Sequence, residues 1–237
     1  AGAMTLARRA LRWAWRLLLL GLLALLALQA WYLGWIVLWR FHDPQQTAFM
    51  ARELDRLRQS RPQAVLRHQW VPYERISPHL KRAVVTAEDA RFVEHEGVDW
   101  EALQKAYVEN TKRGRPARGG STISQQLAKN LFLSSERSYV RKAQELVITA
   151  MLEVVWDKRR ILEVYLNVVE WGEGVFGAEA AARHYYGVSA AQLGAEPAAR
   201  LAAYLPSPRR YGRLRSSPYL DGRTEAILRY MPSAQIP

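Results

Sequence analysis

The sequence predicts a mainly α protein carried on one N-terminal membrane helix. Three observations carry this expectation. An uncharged apolar run extends from Leu17 to Trp39, apolar residues recur at helical spacing in most later segments, and helix-capping residues stand ahead of them. The run is about 23 residues, long enough at about 1.5 Å per residue to cross a hydrocarbon core of roughly 30 Å. Arg8, Arg9, Arg12 and Arg16 precede it, which places the N-terminus in the cytoplasm. Trp13, Trp15, Trp31, Tyr32, Trp35 and Trp39 gather towards its ends, where amphipathic rings meet lipid headgroups. A cleaved signal peptide would have a shorter apolar core and a small-residue cleavage site after Leu28, so the reading is a retained single-pass anchor. Residues 1–16 are then a basic cytoplasmic segment, 17–39 the span and 40–76 a juxtamembrane stalk. The rest of the chain is expected to form a domain on the opposite, non-cytoplasmic side of the membrane.

The later elements can be justified in order. Ala48 to Arg58 reads as a juxtamembrane helix. Gln63 to Ile76 reads as short extended pieces, with His68 to Val71 as the strand. Ser77 and Pro78 form an N-cap and first-turn pair, and Leu80, Ala83, Val84 and Ala87 give the helix after them an apolar face. Asp99 caps a helix expected to bury Leu103, Ala106 and Tyr107. Lys112 to Gly120 is basic and glycine-bearing, so it is expected to be an exposed mobile loop. Thr122 and Gln125 match a capping box opening a helix through Leu131. Ala143, Leu146, Val147, Ala150, Met151 and Val154 form the cleanest stripe, expected to face the core. Asp157 caps the next helix, with Ile161, Leu162, Tyr165 and Leu166 inward. Gly172, Gly174 and Gly177 mark a turn before a helix from Ala178 to Tyr186, which Gly187 closes. Ser189 to Gln192 is another capping box, and Pro197 to Leu205 a further helix.

Composition excludes several classes. With no cysteine, neither a disulfide framework nor a Cys-based metal site is available. The net charge of +12 would suit nucleic acid, but no basic helix with base-reading residues appears, so no nucleic-acid partner is expected. A surface rich in anionic lipid phosphates accounts for the charge equally well.

The chemistry-bearing residues lie between Glu88 and Glu145. Glu88 falls one turn after Val84 at the border of an apolar face, where burial would raise its proton affinity towards that of a useful base. The alternative is a solvated helix-end acid beside Asp89. His95 suits acid–base or metal chemistry, or else a hydrogen bond to a loop carbonyl. The Gly119-Gly120 pair leads into a helix N-terminus, whose free N–H groups favour anions. Gln125 and Lys129 are spaced to share a polar stripe opposite Ile123, Leu127 and Leu131. No Gly-Lys-Ser/Thr ending comes after the glycines, so this is not a nucleotide-phosphate loop. Arg141, Lys142 and Glu145 are helical neighbours: a surface ion pair, or a second acid held by its cations.

Five blocks, in order, resemble the peptidoglycan glycosyltransferases of family 51, the polymerase module of class A penicillin-binding proteins. They are Glu88-Asp89-x-x-Phe92-x-x-His95-x-Gly97-x-Asp99, then Gly119-Gly120-Ser121-Thr122-Ile123-x-Gln125-Gln126-x-x-Lys129-Asn130, then Arg141-Lys142-x-x-Glu145. The fourth runs from Lys158-x-x-Ile161-Leu162-Glu163-x-Tyr165-Leu166-Asn167 to Tyr186-Gly187, and the fifth is Leu205-Pro206-x-Pro208-x-x-Tyr211. No Ser-x-x-Lys with a Lys-Thr-Gly partner is present, and with Glu170-Trp171-Gly172 this is similar to the monofunctional biosynthetic members. Phe176 stands where many relatives carry Tyr, which removes a hydroxyl.

The resemblance implies a lysozyme-like helical lobe with a small membrane-proximal jaw. The glycosyltransferase domain would span 77–215, its mobile jaw about 112–139, and 216–237 would be a helical tail. It implies lipid II and the growing glycan strand as substrates, beside membrane lipid, with cell-wall synthesis or division proteins as further partners. Glu88 would be the catalytic base. Lys129, Arg141, Lys142, Gln125, Asn130, Ser121 and Thr122 would hold sugar or pyrophosphate, supported by Asp89, Phe92, His95, Gly119 and Gly120. Glu145 is left open as a second catalytic acid, a brace for the cations or a ligand for Mg²⁺ or Mn²⁺. No covalently required cofactor is implied.

Overall fold

The computed structural model describes residues 2–113, 120–136 and 138–237, and they are mainly helical. Helix α1 (Gly2–Trp39) takes in the basic segment and the apolar run without a break. From Arg8 to Trp39 it is long and apolar enough to cross a membrane. Leu17 to Leu28 are exposed, whereas Tyr32 and Ile36 are buried. The lower half of α1 is therefore docked on the domain. Helix α2 (Ala48–Ser60) comes next, its first turn capped by the Thr47 hydroxyl, which accepts from Met50 N.

Strand β1 is only Arg67–His68 and does not reach Val71 as expected. The backbone of Val71 is claimed instead by the Asn167 side chain, which accepts from its N–H and donates to its carbonyl, both at 2.9 Å. In a three-stranded sheet ordered β1-β3-β2, β1 pairs parallel with β3 (Val175–Phe176), and β3 pairs antiparallel with β2 (Glu170–Gly172). Phe176 is fully buried there.

The core is built by α3 (Pro78–Glu88), α5 (Ile123–Phe132), α6 (Tyr139–Val155), α7 (Lys158–Val168), α8 (Ala178–Tyr186), α9 (Ala195–Tyr204) and α11 (Pro218–Tyr230). α9 begins two residues earlier than expected, capped at Gly194. The short α10 (Pro208–Leu214) lies against β2. Ile123, Leu127 and Ala128 of α5 are fully buried, so this part of the stretch 112–139 belongs to the core. So does α11, whose Leu220 and Ile227 are buried and which packs against α9 and α3. The segment after residue 215 therefore carries a helix, and that helix is part of the core.

Two expectations about helix faces are overturned. Helix α4 (Trp100–Arg113) buries only Ala106 of its expected side, while Leu103 and Tyr107 are exposed, because α4 stands as one wall of a cleft. It also runs through Lys112 and Arg113; the remainder of the expected loop, 114–119, lies outside the described residues. In α6 the apolar stripe is on the outside: Ala143, Leu146, Val147, Ala150 and Val154 are exposed and Met151 half-buried. Glu145, Ile148, Thr149 and Leu152 are the buried face. The period holds but the stripe does not face the core: it lies on the helix that packs against α1.

Candidate active site

Glu88 is the last residue of α3, and the chain turns sharply after it. Asp89 fixes that turn. One of its oxygens accepts from Ile123 N at 3.0 Å, holding the N-terminus of α5, where free N–H groups favour an anion. The other accepts from His95 Nε2 at 2.8 Å. His95 Nδ1 accepts from Gly97 N at 3.2 Å, so the ring proton sits on Nε2. His95 is thus a strut for Asp89, bonded to a loop N–H and not to a loop carbonyl. Gly97 has φ +89, and a Cβ there would lie 2.7 Å from Thr149 Cγ2, so glycine is required. Phe92 is fully buried, with the Lys158 ammonium over its ring at 4.7 Å.

Pinning α5 to Asp89 brings the next turn of α5 to Glu88. Gln126 Nε2 donates to Glu88 Oε2 at 2.9 Å, and Tyr165 donates to Gln126 Oε1 at 3.0 Å, which sets the amide's orientation. From α11, Arg223 Nη2 donates to Glu88 Oε1 and to the Ala87 carbonyl, both at 3.3 Å. Burial pushes the Glu88 carboxyl up. The Gln126 bond, Arg223 and the more distant Lys129 pull it back in part, while Asp89 adds to the rise. Glu88 opens into a cleft of about 570 Å³ whose wall includes Thr86, Ser121, Thr122, Gln126, Tyr219 and Arg223. The Thr86 hydroxyl and Arg223 Nε in that wall are buried without a hydrogen-bond partner among the described residues.

A second cluster lies on α5 and α6. Glu145 is 3% exposed, and its two oxygens accept separately from Arg141 Nη1 at 2.6 Å and from the Lys142 ammonium. Arg141 Nε also donates to the Glu136 carbonyl at 2.6 Å. Lys129 is half-buried between the two acids. Burial lowers its proton affinity, Glu145 and more weakly Glu88 raise it, and Arg141 and Lys142 lower it. Lys129, Arg141 and Glu145 do not line the Glu88 cleft; the cluster meets it at Ser121, whose hydroxyl is 3.4 Å from Lys142 Nζ.

Other expected site residues fall elsewhere. Gln125 does not share a polar stripe with Lys129. It is buried, its Oε1 accepting from Thr122 N at 3.1 Å while the Thr122 hydroxyl accepts from Gln125 N at 3.2 Å. Thr122 also donates to the Gly97 carbonyl at 2.6 Å, so both side chains are spent on the capping box. Asn130 is buried, and Gly120 lies beneath Leu103 of α4. Gly119 lies outside the described residues. Sequence reasoning gives no site role to Gln126, Tyr165 or Arg223, and places Tyr165 only in the core. Gln126 and Tyr165 stand within the quoted blocks, but nothing along the chain marks Arg223.

Fold and site together present a helical protein with a largely withdrawn glutamate of raised proton affinity, a cation cluster on α5 and α6 and an apolar N-terminal helix. A family model described as Transglycosylase matches residues 55–232, and the chain belongs to that family. It is 62% identical over 227 residues to a biosynthetic peptidoglycan transglycosylase of Dechloromonas aromatica, covering 95% of this chain and 98% of that protein. It is 57% identical over 226 residues to one from Nitrosospira multiformis (95% and 98%). A third, from Janthinobacterium sp. (strain Marseille), is 57% identical over 234 residues (99% and 100%).

Proposed function

We propose that this enzyme polymerises the glycan strands of peptidoglycan, transferring the growing chain from undecaprenyl pyrophosphate to the GlcNAc 4-hydroxyl of lipid II. The observation that carries the mechanism is the Glu88 carboxylate, buried at the head of a cleft and held by one neutral amide and one longer guanidinium contact. Such a group is a stronger base than a solvated carboxylate yet remains ionisable. It takes the proton of the acceptor 4-hydroxyl. The oxygen attacks C1 of the donor MurNAc from the face opposite the leaving group, the C1–O bond to pyrophosphate breaks, and the α linkage becomes a β-1,4 bond. Lys129 and Arg141 receive the charge that develops on the departing pyrophosphate, with Ser121 and Lys142 where their cluster meets the cleft. Thr86 and Arg223 stand in the cleft wall, where the sugar rings would lie.

Glu145 has each oxygen already paired with a cation, so a divalent ion on it would have to displace Arg141 or Lys142. Glu145 is assigned to bracing those two cations. The arginines ahead of the apolar helix support a cytoplasmic N-terminus and a catalytic domain on the outer face of the inner membrane. Labelled lipid II tests the function. A polymerase yields long glycan and free lipid pyrophosphate; the rival for a buried acid, cleavage of existing glycan, yields neither.

A further inference from the structure

We propose that Gln29 is a positioning residue for the transfer reaction, acting from the apolar helix through Gln144. Between Arg16 and Arg40, Gln29 carries the one amide side chain in an otherwise apolar and aromatic run. It meets Gln144 on α6 in a reciprocal pair: Gln29 Nε2 donates to Gln144 Oε1 at 2.9 Å, and Gln144 Nε2 donates to Gln29 Oε1 at 2.8 Å. Each amide thus satisfies the other in surroundings that offer little else, where an unpaired amide is costly.

The place of this pair gives it meaning. Gln144 precedes Glu145 and lies about one turn after Arg141 on the same helix. Among the described residues, its pair with Gln29 makes the only hydrogen bonds between α1 and the half of α6 that carries those charges. The lower turns of α1 are held separately. Trp156 Nε1 donates to the Ile36 carbonyl at 2.8 Å, and Arg160 donates to the Trp39 carbonyl at 2.8 and 3.1 Å. Trp39 stacks on Phe132 with ring centroids 5.3 Å apart, and Phe132 is three residues beyond Lys129 on α5. One rigid helix therefore braces both elements of the cation cluster, at its lower end through α5 and at Gln29 through α6. Breaking the amide pair frees the first turns of α6 without removing the buried contacts that keep α1 in place. Misplaced cations cost rate at the leaving group more than they cost substrate affinity.

The inference rests on the polymerase reading, and polymerisation of lipid II by the wild-type chain is the control that tests that reading separately. The chain has no cysteine, so a pair of introduced thiols is unique. Gln29→Leu, Gln144→Leu, the double variant and Gln29→Cys/Gln144→Cys are compared as full-length proteins in the same membrane mimic. The expected result is kcat lowered about tenfold in either single variant, with KM and Tm little changed and no further loss in the double. Joining the two thiols with a short bifunctional reagent restores kcat. Wild-type kcat in the single variants, additive losses in the double, Tm falling in step with kcat, or no rescue by the joined thiols would each overturn it.

Discussion

Two glutamates in this protein are largely withdrawn from solvent and sit in opposite electrostatic settings. Glu88 has a side chain 11% exposed, touched by a neutral amide and by one guanidinium at 3.3 Å, and its proton affinity is raised. Glu145 has a side chain 4% exposed and is gripped by a guanidinium and an ammonium, one to each oxygen. The surrounding charges differ: at Glu88 a single cation stands at 3.3 Å, whereas at Glu145 a cation closes on each oxygen. On the proposed mechanism the first setting suits a group that takes a proton and the second suits a strut that orients its cations.

The contrast can be broken most forcefully at Glu88. Glu88→Gln is expected to lower the polymerisation rate by about 10²–10⁴-fold, the usual worth of a general base. Stability should move the other way. A carboxyl with a raised folded-state pKa contributes stability below its unfolded value and loses it as pH rises through the folded one. A neutral amide should therefore raise Tm at neutral pH, by about 2–4 °C if the gain is ~1 kcal/mol. A thermal melt beside the lipid II assay reads both.

Lys129→Ala should come next, with a loss of about 10²–10³-fold in kcat for one missing donor at the leaving group. If only KM rose, Lys129 would be binding substrate without serving the transition state.

Glu145→Gln tests the strut. It leaves Arg141 and Lys142 short of their counter-charge, and as both cations are partly solvated the cost should be about 1–3 kcal/mol of stability with a smaller loss of rate. A rate loss matching that of Glu88→Gln, with unchanged Tm, would make Glu145 a catalytic acid instead.

The smallest effect is expected at Arg223. Its positive charge favours the Glu88 carboxylate, so Arg223→Leu should raise the Glu88 proton affinity further and move the acid limb of the pH–rate profile to higher pH. An unmoved limb would detach Arg223 from the base.

Much of this architecture is legible in the sequence, for identifiable reasons. The caps at Thr122, Asp157 and Ser77 are local chemistry, and each forms as read. Glu88 stands at the border of an apolar face because the turn pinned by Asp89 needs the helix to end there. The α6 stripe misleads because apolar periodicity shows which face avoids water, not whether protein or something else covers it. Gln125 imitates a polar stripe because a capping box places its amide in the same register a ligand-facing residue would use. Arg223 leaves no trace, since its contact with Glu88 spans 135 positions and exists only once α11 has packed against α3.

The titration of the Glu88 carboxyl itself bears most directly on the central claim, monitored by ¹³C NMR on glutamate-labelled full-length protein and assigned through Glu88→Gln. The account predicts a midpoint above the ordinary carboxylate range that coincides with the acid limb of the polymerisation rate. A midpoint at or below that range would contradict it.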